Sequence, residues 1–122
     1  MMRSERMTVA ITEAQLTCVR TAVSTREAGI RSAYATLTST LLAGMDTRAK
    51  ALDAAWMLSD KTARKTAREA AWSAWNTTAK SAREAFKVSR KANWDTFRAS
   101  TKTCKVPSTE VDSTMAQASD VQ

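Results

Sequence analysis

The amino-acid sequence predicts an all-α fold, an antiparallel hairpin of two long helices, and three observations support this prediction. The 122 residues include only two glycines and one proline, and no strand-length segment alternates apolar with polar side chains. Apolar and small side chains recur every eleven residues along most of the chain. Ser59 and Asp60 form a strong turn signal between two repetitive halves.

The eleven-residue (hendecad) repeat is clearest between Thr66 and Arg98, a segment that divides into TAREAAWSAWN, TTAKSAREAFK and VSRKANWDTFR. Trp75, Phe86 and Phe97 occupy the same position in the three copies, and we call such a set of equivalent positions a column. Eleven residues make three helical turns at about 3.67 residues per turn, so the members of a column keep nearly the same angular position around the helix axis. The first half of the chain has three further columns: Val19, Ile30, Leu41 and Leu52; Val23, Tyr34, Met45 and Trp56; and Ala22, Ala33, Gly44 and Ala55.

Capping chemistry and the repeat predict where the helices begin and end. Thr12 is a favourable N-cap, and Gln15 is placed to return the capping hydrogen bond. Gly44 falls in the column of small residues, so we expect close approach of a partner helix there rather than a turn. We therefore expect one continuous helix, and because glycine costs a helix about 1 kcal/mol, the alternative to a straight course is a kink near Gly44.

Four segments follow from these signals. Pro107 prevents the second helix from continuing, and the polar, acidic segment after it has no apolar periodicity. The predicted segments are a flexible lead-in over residues 1–11, a first helix over 12–58 and a second over 61–103 within a hairpin of 12–105, and a disordered acidic tail over 106–122.

The two cysteines, Cys18 and Cys104, are predicted to form a disulfide. In an antiparallel hairpin, two residues face each other when their numbers add to a constant, and the midpoint of this pair is residue 61, beside the predicted turn. The alternative, two reduced thiols in a cytosolic protein, does not explain that coincidence. Disulfides are typical of oxidising compartments, so we expect an extracytoplasmic or cell-surface location.

Several classes of protein are disfavoured by composition. The chain has no run of about eighteen apolar residues, so we expect no transmembrane segment. No apolar stretch typical of a signal peptide is visible in residues 1–15, so the leader of an exported form would be removed or lie upstream of this numbering. With no histidine, no glycine-rich phosphate loop and no CxxC motif, we expect no enzymatic activity, no cofactor and no metal site.

Aromatic side chains of the second helix are the candidate contact residues. They lie on the flank of a face of small side chains, which is predicted to pack closely against the first helix. Three interpretations remain open: the rings form the core of the hairpin, they contact a second copy of the protein, or they lie on nucleic acid or in a membrane interface. The alanines are Ala67, Ala70, Ala71, Ala74, Ala82, Ala85 and Ala92, and the rings are Trp72, Trp75, Phe86, Trp94 and Phe97.

The net charge of +7 is concentrated in the second helix. Residues 1–58 carry +2, residues 59–105 carry +8 and residues 106–122 carry −3. Such a distribution permits attraction to anionic partners, but it is equally typical of a solvated helix face. The predicted basic face consists of Lys80, Lys87, Lys91, Arg98 and Lys102.

These features favour a structural, non-catalytic protein that associates with itself as a homo-oligomer or filament. One form of that assembly is a dimer in which two hairpins complete a four-helix bundle. The alternative is a basic protein that binds nucleic acid or an anionic surface through its basic face.

A set of motifs covers nearly the whole predicted hairpin. They are C-V-R-x-A-V-x-x-R-E at residues 18–27, A-L-D-A-A-W at 51–56, D-x-x-x-R-K-x-A-x-x-A-A-W at 60–72 and W-x-x-F…C at 94–104. In these motifs the chain resembles a group of uncharacterised small proteins, rich in Ala, Arg and Trp, that are encoded in candidate-phyla bacterial genomes. The resemblance implies an exported helical protein, and it implies no activity and no functional residue.

Overall fold

The computed structural model describes residues 10–107, 110 and 111 and confirms the predicted helical hairpin. Two helices, α1 (Glu13–Ala55) and α2 (Lys61–Cys104), pack against each other, and the described residues include no β-strand. Helix α2 agrees with its predicted limits to within one residue. Helix α1 ends three residues before the predicted Leu58.

Both helices begin at the predicted caps. The Thr12 amide donates to Gln15 Oε1 at 2.8 Å while the Gln15 amide donates to Thr12 Oγ1 at 3.0 Å, which is a reciprocal capping box. At the start of α2, the Ala63 amide donates to Asp60 Oδ2 at 2.7 Å. These bonds satisfy amide groups that have no partner inside the helix.

Helix α1 ends early because its last turn tightens. The amides of Met57 and Leu58 donate to the carbonyl groups of Ala54 and Ala55, each at 3.1 Å and each only three residues back. This pattern is typical of a 3₁₀-type helix terminus. The segment that connects the helices is therefore longer than predicted and includes Trp56, Met57 and Leu58.

The Cys18–Cys104 disulfide is present in the structure, with Cα atoms 5.7 Å apart, which confirms the predicted pairing. Gln15 Nε2 also donates to the carbonyl oxygen of Lys105 at 2.9 Å, so the capping residue of α1 contacts the end of α2. Lys105 adopts a left-handed conformation with φ of 60°, which ends the helix just before Val106 and Pro107.

The packing divides into two units. The first, which we call the clamp unit, combines Met1–Ile30 with Lys91–Gln122 and contains the disulfide. Its core consists of Ala22, Ile30, Trp94 and Phe97, with Val23 and Val111 packed against them. Val111 lies in the segment that was predicted to be a disordered acidic tail, yet it packs against this core.

Residues 108–109 and 112–122 of the predicted tail lie outside the described residues. Residues 1–9 of the predicted lead-in also lie outside them.

The second unit, Arg31–Arg90, contains the connection between the helices, and we call it the turn unit. Its buried apolar residues include Leu37, Ala55, Ala71, Ala79 and Phe86.

Helix α1 passes through Gly44 without interruption. A Cβ atom at Gly44 would lie 3.1 Å from both Trp75 Cζ3 and Thr78 Cγ2, which is tighter than ordinary van der Waals contact. The expectation of close helix approach at this small residue is therefore confirmed.

Only part of the predicted alanine face of α2 is covered: Ala71 is buried, and Ala67 and Ala82 are half-buried. Ala70, Ala74, Ala85 and Ala92 are exposed, whereas Phe86 and Phe97, from the aromatic column, are buried. An aromatic ring removes far more apolar area from water than a methyl group does, so the rotation of α2 that buries the rings is favoured. The buried interface between the helices therefore combines aromatic rings with alanines such as Ala55, Ala71 and Ala79.

Candidate functional site

An arginine lies between two aromatic rings in the clamp unit. The guanidinium carbon of Arg26, on α1, lies 4.5 Å from the ring centroid of Trp94 and 4.4 Å from that of Phe97, both on α2. The two rings meet edge to face at 5.6 Å. Arg26 is buried, and its Nε donates to the exposed carboxylate of Glu27 at 3.0 Å. A planar guanidinium tolerates this environment because it is weakly hydrated and stacks on ring faces.

A similar arrangement occurs in the turn unit. Arg48, on α1, lies 4.6 Å from the ring centroid of Trp72 and 4.9 Å from that of Trp75. In both units the rings are three residues apart on α2 and the arginine comes from α1. The repeat therefore yields an arginine–aromatic contact with a spacing of two hendecads.

Neither Arg26 nor Arg48 was identified by sequence reasoning, because charged side chains are normally assigned to the surface. A signal was nevertheless present. The numbers of Arg26 and Phe97 add to the same total as those of Arg48 and Trp75, so the hairpin arithmetic that paired the cysteines also places these residues opposite each other.

The five aromatic candidates are divided by burial. Phe86, Trp94 and Phe97 are buried, which makes them core residues, the first of the three interpretations. Trp75 is half-buried, and Trp72 remains 47% exposed. Among the candidates on α2, Trp72 is therefore the ring best placed to contact another molecule.

A surface on α1 is more exposed than the predicted one. In the turn unit, Tyr34, Met45 and Trp56 belong to one column and are 48%, 40% and 62% exposed, and neighbouring Leu42 is 60% exposed. Tyr34 uses only part of its surface in an edge contact with Phe86, with ring centroids 6.0 Å apart. We call these four residues the α1 apolar surface. The hendecad columns predict that three of them align, but not that they remain exposed beside α2.

The basic face is partly neutralised by its own helix. Lys80, Lys87 and Lys102 are exposed. Lys91 Nζ, however, contacts Asp95 Oδ2 at 2.8 Å, and Arg98 Nη2 contacts the other oxygen of the same carboxylate. The hydrogen bond from Lys91, together with that from Arg98, holds the pKa of the Asp95 carboxyl below its usual value.

This sharing of Asp95 reduces the charge that the basic face offers to phosphate groups. Binding of nucleic acid therefore stays a prediction that depends on net charge.

Fold and surface together define a disulfide-clamped helical hairpin with arginine–aromatic contacts between its helices. Among the residues that the structure describes, no helix is long and apolar enough to span a membrane. No family model, curated protein or solved structure matches the chain. The resemblance to small Ala-, Arg- and Trp-rich bacterial proteins therefore stays a prediction.

Proposed function

We propose that the protein is a structural, non-catalytic helical hairpin that associates with a second copy of itself through the α1 apolar surface. The observation that carries this proposal is the exposure of Tyr34, Leu42 and Met45 on α1, and of Trp56 directly after its end, in a hairpin that has no third helix among its described residues. Several large apolar side chains exposed along one side of a helix are a candidate interaction site.

The arrangement of side chains favours an identical partner. Beside the column of Tyr34, Met45 and Trp56 runs a second column of Arg31, Leu42 and Asp53, also on α1. Both columns have an apolar residue at the centre and a different polar or aromatic residue at each end. In a two-fold symmetric dimer the α1 helices of the two copies run antiparallel, so that the first column of one copy meets the second column of the other.

The pairs that this symmetry creates are chemically suitable. With the two-fold axis between Leu42 and Met45, each of these residues meets the other from the second copy. Trp56 then meets Arg31, the pairing of ring and guanidinium that occurs elsewhere in the hairpin. Tyr34 meets Asp53, whose carboxylate accepts a hydrogen bond from a phenol. Arg31 and Asp53 are both exposed and so are accessible for these contacts.

The location that we propose for this assembly is extracytoplasmic or at the cell surface. The Cys18–Cys104 disulfide supports this, because such bonds persist in oxidising compartments and are rare in the cytosol.

The test is the molar mass of the non-reduced protein by light scattering over a range of concentrations. We expect a dimer of roughly twice the 13.3 kDa of one chain. Leu42→Glu combined with Met45→Glu places like charges at the centre of the interface and should raise the dissociation constant at least about tenfold. Circular dichroism should show unchanged helix content.

Two further variants determine which surface is used. Val88→Glu is the matched control, because Val88 is an exposed apolar residue of α2 in the same unit and should leave the dimer intact. Trp72→Ala tests the predicted contact on α2. Loss of the dimer in either of these variants, with the α1 variant unaffected, would move the interface to α2. A monomer at every concentration would refute self-association.

A further inference from the structure

The connection between the helices presents a cluster of apolar side chains to solvent. Trp56, Met57 and Leu58 are consecutive in the chain and are 62%, 77% and 41% exposed. Three large apolar side chains in succession at a loop are unusual, because loops of soluble proteins are mostly polar.

The connection is held in a defined conformation. Arg64 Nη1 donates to the carbonyl oxygen of Leu58 at 3.0 Å and to that of Ser59 at 3.3 Å. The Trp56 ring lies 4.8 Å from the guanidinium carbon of Arg68 and 5.6 Å from that of Arg64. These contacts hold the apolar residues on the surface, so little ordering is needed when a partner binds.

Basic residues follow this apolar cluster in the sequence. Residues 56–68 include four basic side chains and one acidic side chain, so their net charge is +3. The acidic residue, Asp60, accepts a hydrogen bond from the Ala63 amide at the start of α2. Asp53 and Glu69 are the next acidic residues along the chain on either side. The basic residues are Lys61, Arg64, Lys65 and Arg68.

We propose that this tip, residues 56–68, docks on the surface of an anionic lipid bilayer. Tryptophan is enriched at the level of the lipid headgroups, because its ring is apolar and its N–H is polar. Met57 and Leu58 enter the boundary of the acyl chains, and the neighbouring cations contact anionic headgroups. The protein binds peripherally, through a short apolar segment and a polybasic segment together.

The tip is distinct from the self-association surface, although Trp56 belongs to both. Met57 and Leu58 lie outside the proposed dimer contact, and so do Lys61 and Lys65. The experiment therefore substitutes these four residues and leaves Trp56 unchanged. If the substitutions do not change vesicle binding, the membrane proposal fails but the proposed dimer is unaffected. If the protein is a monomer, the dimer proposal fails but the proposed membrane contact of the tip is unaffected.

The test is co-sedimentation of the full, non-reduced chain with phosphatidylcholine vesicles that contain or lack phosphatidylglycerol. We expect binding to the anionic vesicles and much weaker binding to the neutral ones. Met57→Ser with Leu58→Ser should lower the partition coefficient at least about tenfold. Lys61→Gln with Lys65→Gln should lower it about 30-fold at low salt.

The matched control is Lys80→Gln with Lys87→Gln, which removes the same charge from exposed positions of α2 in the same unit. Its effect should be several-fold smaller. An equal loss in this control would show that binding depends on overall charge, and would overturn the proposal. So would binding that survives the Met57 and Leu58 substitutions, or the absence of binding to anionic vesicles at low salt. A change in molar mass caused by those substitutions, without a change in vesicle binding, would make the tip a protein contact instead.

Discussion

Removal of the Cys18–Cys104 disulfide should destabilise the hairpin by a predictable amount. The two cysteines are 86 positions apart, so the bond closes almost the whole described chain into one loop. In the chain-entropy model, a loop of this length removes about 15 cal/mol/K from the unfolded state, or about 4.6 kcal/mol at room temperature. The total stability of a small domain is only about 5–15 kcal/mol, so this is a large fraction.

The assay is urea unfolding followed by far-UV circular dichroism, with and without a reducing agent. The slope for a small protein is about 1–3 kcal/mol per molar urea, so the midpoint should fall by about 1.5 M or more on reduction. Cys18→Ala with Cys104→Ala should match the reduced protein and should not respond to the reducing agent. That insensitivity separates the bond itself from side effects of the reductant.

Two results would refute this reasoning. Two titratable thiols in the native, non-reduced protein would show that the bond does not form. A midpoint that moves by less than about 0.5 M on reduction would show that the loop-closure entropy of the unfolded chain is not what the bond removes.

The remaining predictions concern packing between the helices. Arg26→Ala should lower the free energy of unfolding, measured with urea, by about 3 kcal/mol, because it removes contacts with two rings and leaves a cavity. Arg26→Met keeps most of the side-chain volume and should lower it by only about 1 kcal/mol. Equal losses in the two variants would show that the volume of the side chain is unimportant. Gly44→Ala should destabilise by about 1 kcal/mol, because the clash with Trp75 and Thr78 exceeds the gain in helix propensity. Adding Thr78→Ser, which deletes the opposing methyl group, should recover part of that loss, and stabilisation by Gly44→Ala alone would contradict the packing argument.

Local chemistry was sufficient to predict the helix starts and the position of the turn, although the connection is longer than predicted. Thr12, Gln15 and Asp60 satisfy backbone amides within a few residues of themselves, so their roles do not depend on distant parts of the chain. The pairing of Cys18 with Cys104 then follows from the position of the turn and the antiparallel course of the helices.

The rotation of each helix about its own axis was decided only by tertiary packing. An eleven-residue period determines which residues share a column, and so the alignment of Tyr34, Met45 and Trp56 was visible in the sequence. The period does not determine which column meets the partner helix, because neighbouring columns differ by a small rotation. That choice depends on the area that all the contacts bury together. In this hairpin the chosen rotation buries Phe86, and buries Trp94 and Phe97 together with Arg26. It exposes four of the seven alanines of the predicted face and leaves the α1 apolar surface open.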